Sequence, residues 1–425
     1  MTAATEIQAR ESRVRATPEE RRARIVGLIL IGLGGFVFWA FGLGVMADLD
    51  STFKLALPTD RFKDIALTVN TRTLAFVVAG VMAFLGGMQL RRVNVKRTNL
   101  MLGVGLIFFA FAFLAWAAAG KSFSLVGMLR STVILSVPVT LGALTGIMCE
   151  RVAIINIGIE GQLLSSAFAA TLLGSAFGLW AGVTGGLVVG ALLGALLAWL
   201  AIRFRVDQII AGVFINIFAL GLTSFLATRV LAEAQDLNAA PQFAAIRIPV
   251  LADIPLLGSM FFNHNFFIYA TLILVALLHL AFFYTRWGLR SRSVGEHPRA
   301  ADTVGINVYR TRYRNVILGG LIAGFGGAFL SLTQVSRFEE NMTAGIGFIG
   351  LAAMIFGRWM PFGALAAGLV FGFARALQQK LGILATPIPS EFLLMTPYLV
   401  TIIVVAGLVG RAIPPAADGQ PYVKE

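Results

Sequence analysis

Cysteine is nearly missing: Cys149 is the only one in 425 residues. No intrachain disulfide and no cysteine-based metal cluster can form. The three histidines, His264, His279 and His297, lie far apart, and no HExxH spacing occurs. A resident metal site is therefore not expected. Charge is scarce as well. Charged residues are 13% of the chain and hydrophobic residues 58%, about half the charged share usual in a soluble domain. A soluble protein of this size needs a more charged surface. That argues against a soluble enzyme, a DNA-binding domain and a disordered chain. A polytopic membrane protein fits, because lipid covers what polar side chains would otherwise cover. The net charge of +13 does not change this. Its basic residues cluster between apolar segments, as the positive-inside rule expects, and nucleic acid is not an expected partner.

The expected fold is an all-α polytopic membrane protein with about ten to twelve transmembrane or re-entrant helices. Residues 1–24 form a polar tail with six Arg and four Glu. Thr17 is placed to cap a helix opened by Pro18-Glu19-Glu20. Apolar segments are expected near 25–47, 66–90, 99–119, 131–149, 156–176, 179–201, 208–229, 266–285, 315–334, 346–358, 361–379 and 394–412. The piece 346–358 is too short for a full span and reads as a short or re-entrant helix. Arg91, Arg92, Lys96 and Arg97 stand together with no acid, and 286–314 carries seven Arg against Glu296 and Asp302. Both stretches are expected on the cytoplasmic side. Segment 231–265 is net acidic, holds Pro241, Pro249 and Pro255, and is expected outside. Twelve crossings would leave both termini, including a tail at 413–425, in the cytoplasm.

Charge inside the apolar segments is rare. Asp207 reads as a loop end or a helix cap, and Arg72 and Arg375 as side chains that snorkel to an interface or line a polar route. Most tryptophans fall near span ends, as an aromatic belt would place them. Two patches stand out. One is ERVAIINIGIEGQ at 150–162 and the other FEENMTAGIGFIG at 338–350. Each runs from acid and Asn through Gly into an apolar helix. Such a patch faces lipid only at a cost. The two read either as interrupted helices of an internal repeat, where a transporter keeps its central site, or as two tight helix starts that use Gly for packing.

Within the basic stretch, Pro298 suits the first turn of a helix, Arg299 and Asp302 are placed to pair, and Gly305 suits its end. A short helix flanked by Arg can dock a partner or lie on lipid headgroups. Gly120-Lys121-Ser122 looks like the end of a P-loop, but Ala115 occupies the required earlier Gly position. If ATP drives this protein, another subunit binds it.

Six stretches carry a family likeness: ERVAIINIGIEGQ (150–162), RVDQIIAGVFINIFALGLTSFL (205–226), IPLLG (254–258), TRWGLRSRSVGEHPRAADTVGINVYRTRYRN (285–315), NMTAGIGFIGLAAMIFGRWMPFGA (341–364) and MTPYLVTIIVVAG (395–407). In order and spacing, over about 130–420, the chain resembles permease subunits of bacterial ABC importers. They belong to the group related to ribose and branched-chain amino-acid permeases. Within it the chain looks most like nucleoside-type permeases that work with basic-membrane-lipoprotein binding proteins.

The resemblance implies a plasma-membrane subunit without its own ATPase site or cofactor. Its expected partners are ATPase subunits that hold ATP and Mg, a second homologous permease, an extracytoplasmic solute-binding lipoprotein, and a small polar solute, a nucleoside. It implies a permease core at 121–412 after additional membrane spans at 25–120. It assigns ATPase docking to Glu296, Pro298, Ala300, Ala301 and Gly305, the small Ala side chains letting the ATPase approach closely. It places Asn156, Gly158, Glu160, Gly161, Asn341, Gly345 and Gly347 near the translocation path. The chain departs from the family at Val152-Ala153, where Ser-Gly is frequent, and at His297, where Asn is frequent. The stretch ending Glu160-Gly161-Gln162 is similar to one of the paired permeases and the downstream half to the other. The first 120 residues match the common core poorly. The same machine with a sugar as solute, or an ion-coupled carrier, remains an alternative reading.

Overall fold

The computed structural model describes residues 17–46, 49–58, 65–91, 95–384, 389–396, 398, 399, 402 and 412–424. Most of the expected tail 1–24 and most of the expected last span, 394–412, lie outside the described residues. Two compact units divide the chain, one comprising Met1–Leu125 with Leu384–Thr386, the other Val126–Ile383 with Pro387–Glu425. Among the described residues, nine helices are long and apolar enough to cross a membrane. The protein is a multi-pass helical membrane protein, as the apolar runs require.

In the first unit the Pro18–Phe36 helix opens on a capping box. Thr17 Oγ1 accepts from Glu20 N–H at 3.2 Å, and Thr17 N–H donates to Glu20 Oε2 at 3.0 Å. The expected N-terminal helix is therefore continuous with the first span. The second span starts later than its hydropathy implies. Residues Ala66–Asn70 form a strand, β2, and the helix runs Thr71–Arg91. Alternation of Ala66, Leu67, Thr68, Val69 and Asn70 suits a pleated strand as well as an apolar helix. Strand β1 (Asp50–Lys54) pairs antiparallel with β2, Thr52 opposite Thr68, and parallel with β3 (Ser122–Ser124), Thr52 opposite Ser122. The P-loop likeness ends here. Gly120 turns at φ +71° into β3, whereas a P-loop leads from a strand into a helix.

In the second unit the Leu125–Glu150 helix is central: 94% of its apolar window is buried within the chain, against 28% for Phe266–Tyr284. The first is surrounded by protein; the second leaves most of its surface for lipid. The Leu179–Ala198 and Val308–Phe329 helices meet along a glycine seam. A Cβ on Gly190 would lie 2.3 Å from Gly320 O, and one on Gly324 would lie 2.4 Å from Gly186 O. Small residues four apart let two helix backbones touch where no hydrophobic drive operates between helices in lipid. The Val308–Phe329 helix begins seven residues before its apolar run, so Arg310, Arg312 and Arg314 are helical and not loop. The Ile159–Phe177 helix is not among the nine. It carries Glu160, Gln162, Ser165, Ser166 and Thr171, and much of it is buried by protein. The expected short helix is Ile346–Phe356.

Asp207 caps the Gln208–Leu226 helix. Its Oδ1 accepts from Ile209 N–H at 2.9 Å and Ile210 N–H at 3.0 Å. Asp207→Ala is expected to cost about 1 kcal/mol and to lower the melting temperature in detergent slightly, with uptake little changed. A melting curve indistinguishable from the parent would show that water or lipid replaces the cap.

Candidate functional site

The two Gly-rich patches meet. Glu160, in the first turn of the Ile159–Phe177 helix, is 9% exposed. Its Oε1 accepts from Gly345 N–H at 2.8 Å and its Oε2 from Gly347 N–H at 2.6 Å. Those amides begin the Ile346–Phe356 helix, whose first N–H groups have no partner within the helix. A carboxylate there satisfies two donors and complements the positive helix end. The geometry requires glycine twice. Gly345 holds φ +84°, and a Cβ on Gly347 would lie 2.5 Å from Glu160 N.

The turn before the Ile159–Phe177 helix is held from a third direction. Asn216, on the Gln208–Leu226 helix, accepts from Gly161 N–H through Oδ1 at 2.8 Å and donates Nδ2–H to Ile157 O at 3.0 Å. Gln208 Oε1 accepts from Ile155 N–H at 2.7 Å. Gly158 and Gly161 allow this: their Cβ atoms would meet Ile215 Cγ2 at 3.3 Å and Ile215 O at 2.8 Å. Asn216 lies inside the stretch 205–226, where no local feature assigns it a task. A lone amide in the run IIAGVFINIFALG was the available signal. Asn156 is fully buried and donates from Nδ2 to Gln162 Oε1 at 3.1 Å. Asn156 Oδ1 and Gln162 Nε2 have no partner among the described residues.

Of the expected path residues, Asn156, Gly158, Glu160, Gly161, Gly345 and Gly347 therefore belong to one cross-linked junction. Asn341 is placed differently. It is exposed, holds φ +54°, and its carbonyl accepts from Ala344 N–H in the turn before the short helix.

One end of the Leu125–Glu150 helix is tied to the turn after the short helix. Trp359 Nε1–H donates to Glu150 Oε2 at 2.5 Å, and Arg151 Nη2 and Nε donate to Trp359 O at 2.8 and 3.1 Å. Trp359 is buried, so the aromatic-belt expectation does not hold for it: its indole N–H has a protein partner instead of an interface. Arg151 and Arg292 both lie over the Phe283 ring. Burial, followed by the Arg292 charge, pulls the Arg151 pKa down, and Glu296 opposes this.

The basic loop folds as two helices, Arg286–Glu296 and Pro298–Thr303, broken at His297. Pro298 opens the second, and Gly305 at φ +83° follows its end, as expected. The two alanines divide. Ala300 is exposed, while Ala301 is buried against Val294, Val308 and Tyr422. Glu296 Oε2 accepts from Ala416 N–H at 3.1 Å. Asp302 faces Lys424 Nζ at 3.7 Å.

Asp418 lies beside Glu150 and Arg312. Burial pushes its carboxyl pKa up from 3.8 to about 6, while a hydrogen bond with Glu150, then the Gly419 backbone and the Arg312 charge, pull the other way. A folded pKa above the unfolded one means the folded chain binds the extra proton between these values. The contact is firmest at acid pH and weakens as pH rises through about 6. Hydrogen exchange, corrected for intrinsic rate, is expected to show residues 416–422 better protected at about pH 5 than at about pH 7.5. Asp418→Asn should remove most of that difference, and an unchanged difference in it would refute the assignment.

Nine apolar helices among the described residues, a buried polar junction between two glycine-rich helix starts and a short helix in a basic loop are the features of a polytopic membrane protein of the transport class. The profile of the family described as branched-chain amino acid transport system / permease component matches residues 128–405, and the chain belongs to that family. It is 41% identical over 306 residues to the guanosine ABC transporter permease protein NupQ of Bacillus subtilis, covering 69% of this chain and 95% of that one. It is 38% identical to the nucleoside ABC transporter permease protein NupC of Lactococcus lactis, covering 70% and 96%. The ABC transporter permease protein TsgC13 of Haloferax volcanii, provisionally assigned to glucose, is 31% identical over 60% of this chain and 77% of its own. No solved structure matches the chain.

Proposed function

We propose that this chain is the membrane-spanning permease subunit of an ATP-driven importer of nucleosides. It shares the solute path with a second, homologous permease. An extracytoplasmic lipoprotein delivers the solute, and separate ATPase subunits bind ATP and Mg. The observation that carries this is the 41% identity to a guanosine permease along 95% of that protein. The family match over residues 128–405 includes the Glu160 junction and the Pro298–Thr303 helix. In this reading the helix docks an ATPase, with Ala300 exposed for close approach and Ala301 fastening it from behind. The basic flank supports a cytoplasmic loop and cytoplasmic termini in this reading. Solute passes near Asn156 and Glu160. Asn156 Oδ1 and Gln162 Nε2, without a partner among the described residues, are an acceptor and a donor of the kind a nucleoside base or ribose needs.

A sugar is the second reading, favoured by the resemblance to TsgC13. Both are tested by purifying the tagged chain in mild detergent, identifying its partners by mass spectrometry, and measuring uptake with unlabelled competitors. ATPase subunits and a second permease should co-purify, and guanosine should compete where glucose and ribose do not. Competition by sugars alone would give the solute assignment to the second reading. Ion-driven transport by the lone chain in liposomes would reject the ATP-driven reading altogether.

A further inference from the structure

The C-terminal residues lie beyond the matched segment 128–405, and the sequence gives them no task except that of a tail. In the structure they fold back across the basic loop. Ala417 N–H donates to Gly295 O at 3.0 Å and Ala416 N–H to Glu296 Oε2 at 3.1 Å. These contacts reach the helix before the break at His297. Tyr422 is buried with Val294, Ala301 and Val308, and its ring lies 5.4 Å from that of Tyr309. Arg312 Nη1 donates to Gln420 O at 3.2 Å, and Lys424 N–H to the Tyr309 hydroxyl at 3.3 Å. These reach the helix after the break. Lys424 Nζ, 3.7 Å from Asp302, reaches the short helix itself.

A six-residue helix has too few internal hydrogen bonds to be stable alone, so its orientation must come from tertiary contacts. The C-terminal segment contacts the helix before it, the helix after it and Asp302 of the short helix itself. It also reaches the junction described above. A Cβ on Gly419, at φ +74°, would lie 2.8 Å from Ile155 Cδ1, and Ile155 adjoins Asn156. One segment therefore touches both the short helix and the turn that leads to the buried amides. Glu296, assigned by family likeness to the docking surface, has a carboxylate oxygen occupied within the chain.

We propose that residues 412–424 are a strap that fixes the orientation of the Pro298–Thr303 helix toward its ATPase and couples that helix to the Ile155–Asn156 turn. This rests on the ATP-driven reading and extends it. Tyr422 and Lys424 are its positioning residues, since neither is asked to touch solute or nucleotide.

The test compares the full chain, a chain ending at residue 411, and a full-length Tyr422→Ala/Lys424→Glu double variant, each assembled with its partner subunits in proteoliposomes. The measurements are solute-stimulated ATP hydrolysis, uptake, and hydrogen exchange of residues 297–305 in the unpartnered chain. If the strap holds most of the population in the docking-competent orientation, its loss should lower coupled uptake about tenfold or more. Exchange across 297–305 should rise in both variants, and Tyr422→Phe should restore both readouts by keeping the ring. Should the shortened chain fail to insert, the double variant decides. Parent-like uptake and parent-like exchange in the double variant would overturn the strap. Failure of the importer reading is distinguishable, because the full-length complex itself would then show no ATP-dependent uptake while the exchange comparison still reports on the strap.

Discussion

Gly347→Val is expected to abolish uptake and to lower the melting temperature more than any other single change named here. A Cβ at this position would lie 2.5 Å from Glu160 N and 2.6 Å from Glu160 Cα. These are backbone atoms, so no side-chain rotation relieves the clash, and forcing such contacts costs about 1–3 kcal/mol. The shift also pulls the carboxylate away from Gly345 and Gly347 N–H, and each buried donor left unpaired costs about 1–3 kcal/mol. The sum is several kcal/mol against a total stability of about 5–15 kcal/mol. Glu160→Gln isolates the carboxylate. The amide keeps one acceptor oxygen, so one of the two hydrogen bonds survives and the loss should be smaller. Melting by fluorescence in detergent and initial uptake rates check both. A Gly347→Val chain with the parent's melting temperature would mean that the two segments do not meet as described.

A large side chain at Ala300 should have the opposite profile. Ala300 is exposed on the Pro298–Thr303 helix, so Ala300→Trp should leave the stability within about 0.5 kcal/mol of the parent and the melting temperature nearly unchanged, as surface changes do. It should nevertheless block the close approach of an ATPase and eliminate its co-purification and ATP-driven uptake. Ala301→Trp provides the contrast. Ala301 is 3% exposed, so the same substitution there overpacks Val294, Val308 and Tyr422 and lowers stability first. If the Ala300→Trp chain retains its ATPase and its uptake, the docking surface lies elsewhere.

Both predictions use residues that a sequence reader can pick out, but their reasons differ in origin. The helix around Ala300 was legible: Pro298 and Gly305 mark its ends by rules that act within one turn. The same holds for Thr17 with Glu20 and for Asp207, whose caps involve neighbours two or three residues away. Which alanine faces outward was not legible, because Ala301 is buried in a cluster that draws in Tyr422, more than a hundred residues distant. Trp359 shows the same limit. Its position near a span end is what a belt tryptophan shows, and only the arrival of Glu150 at its indole N–H separates the two cases.

The sequence by itself determined that this is a many-helix membrane protein, roughly where most of its helices run, and which two polar, glycine-rich patches interrupt its apolar pattern. Each of those follows from hydropathy, charge and capping read over a few turns. Only the tertiary structure decided that the interruptions meet. The Glu160 carboxylate spans 185 residues of sequence to reach Gly345 N–H, Asn216 holds the first turn from another helix, and the last residues reach back to Gly295. Such pairings depend on which backbones can come close enough, and the glycines that permit it act between segments. No local period or motif encodes the partner.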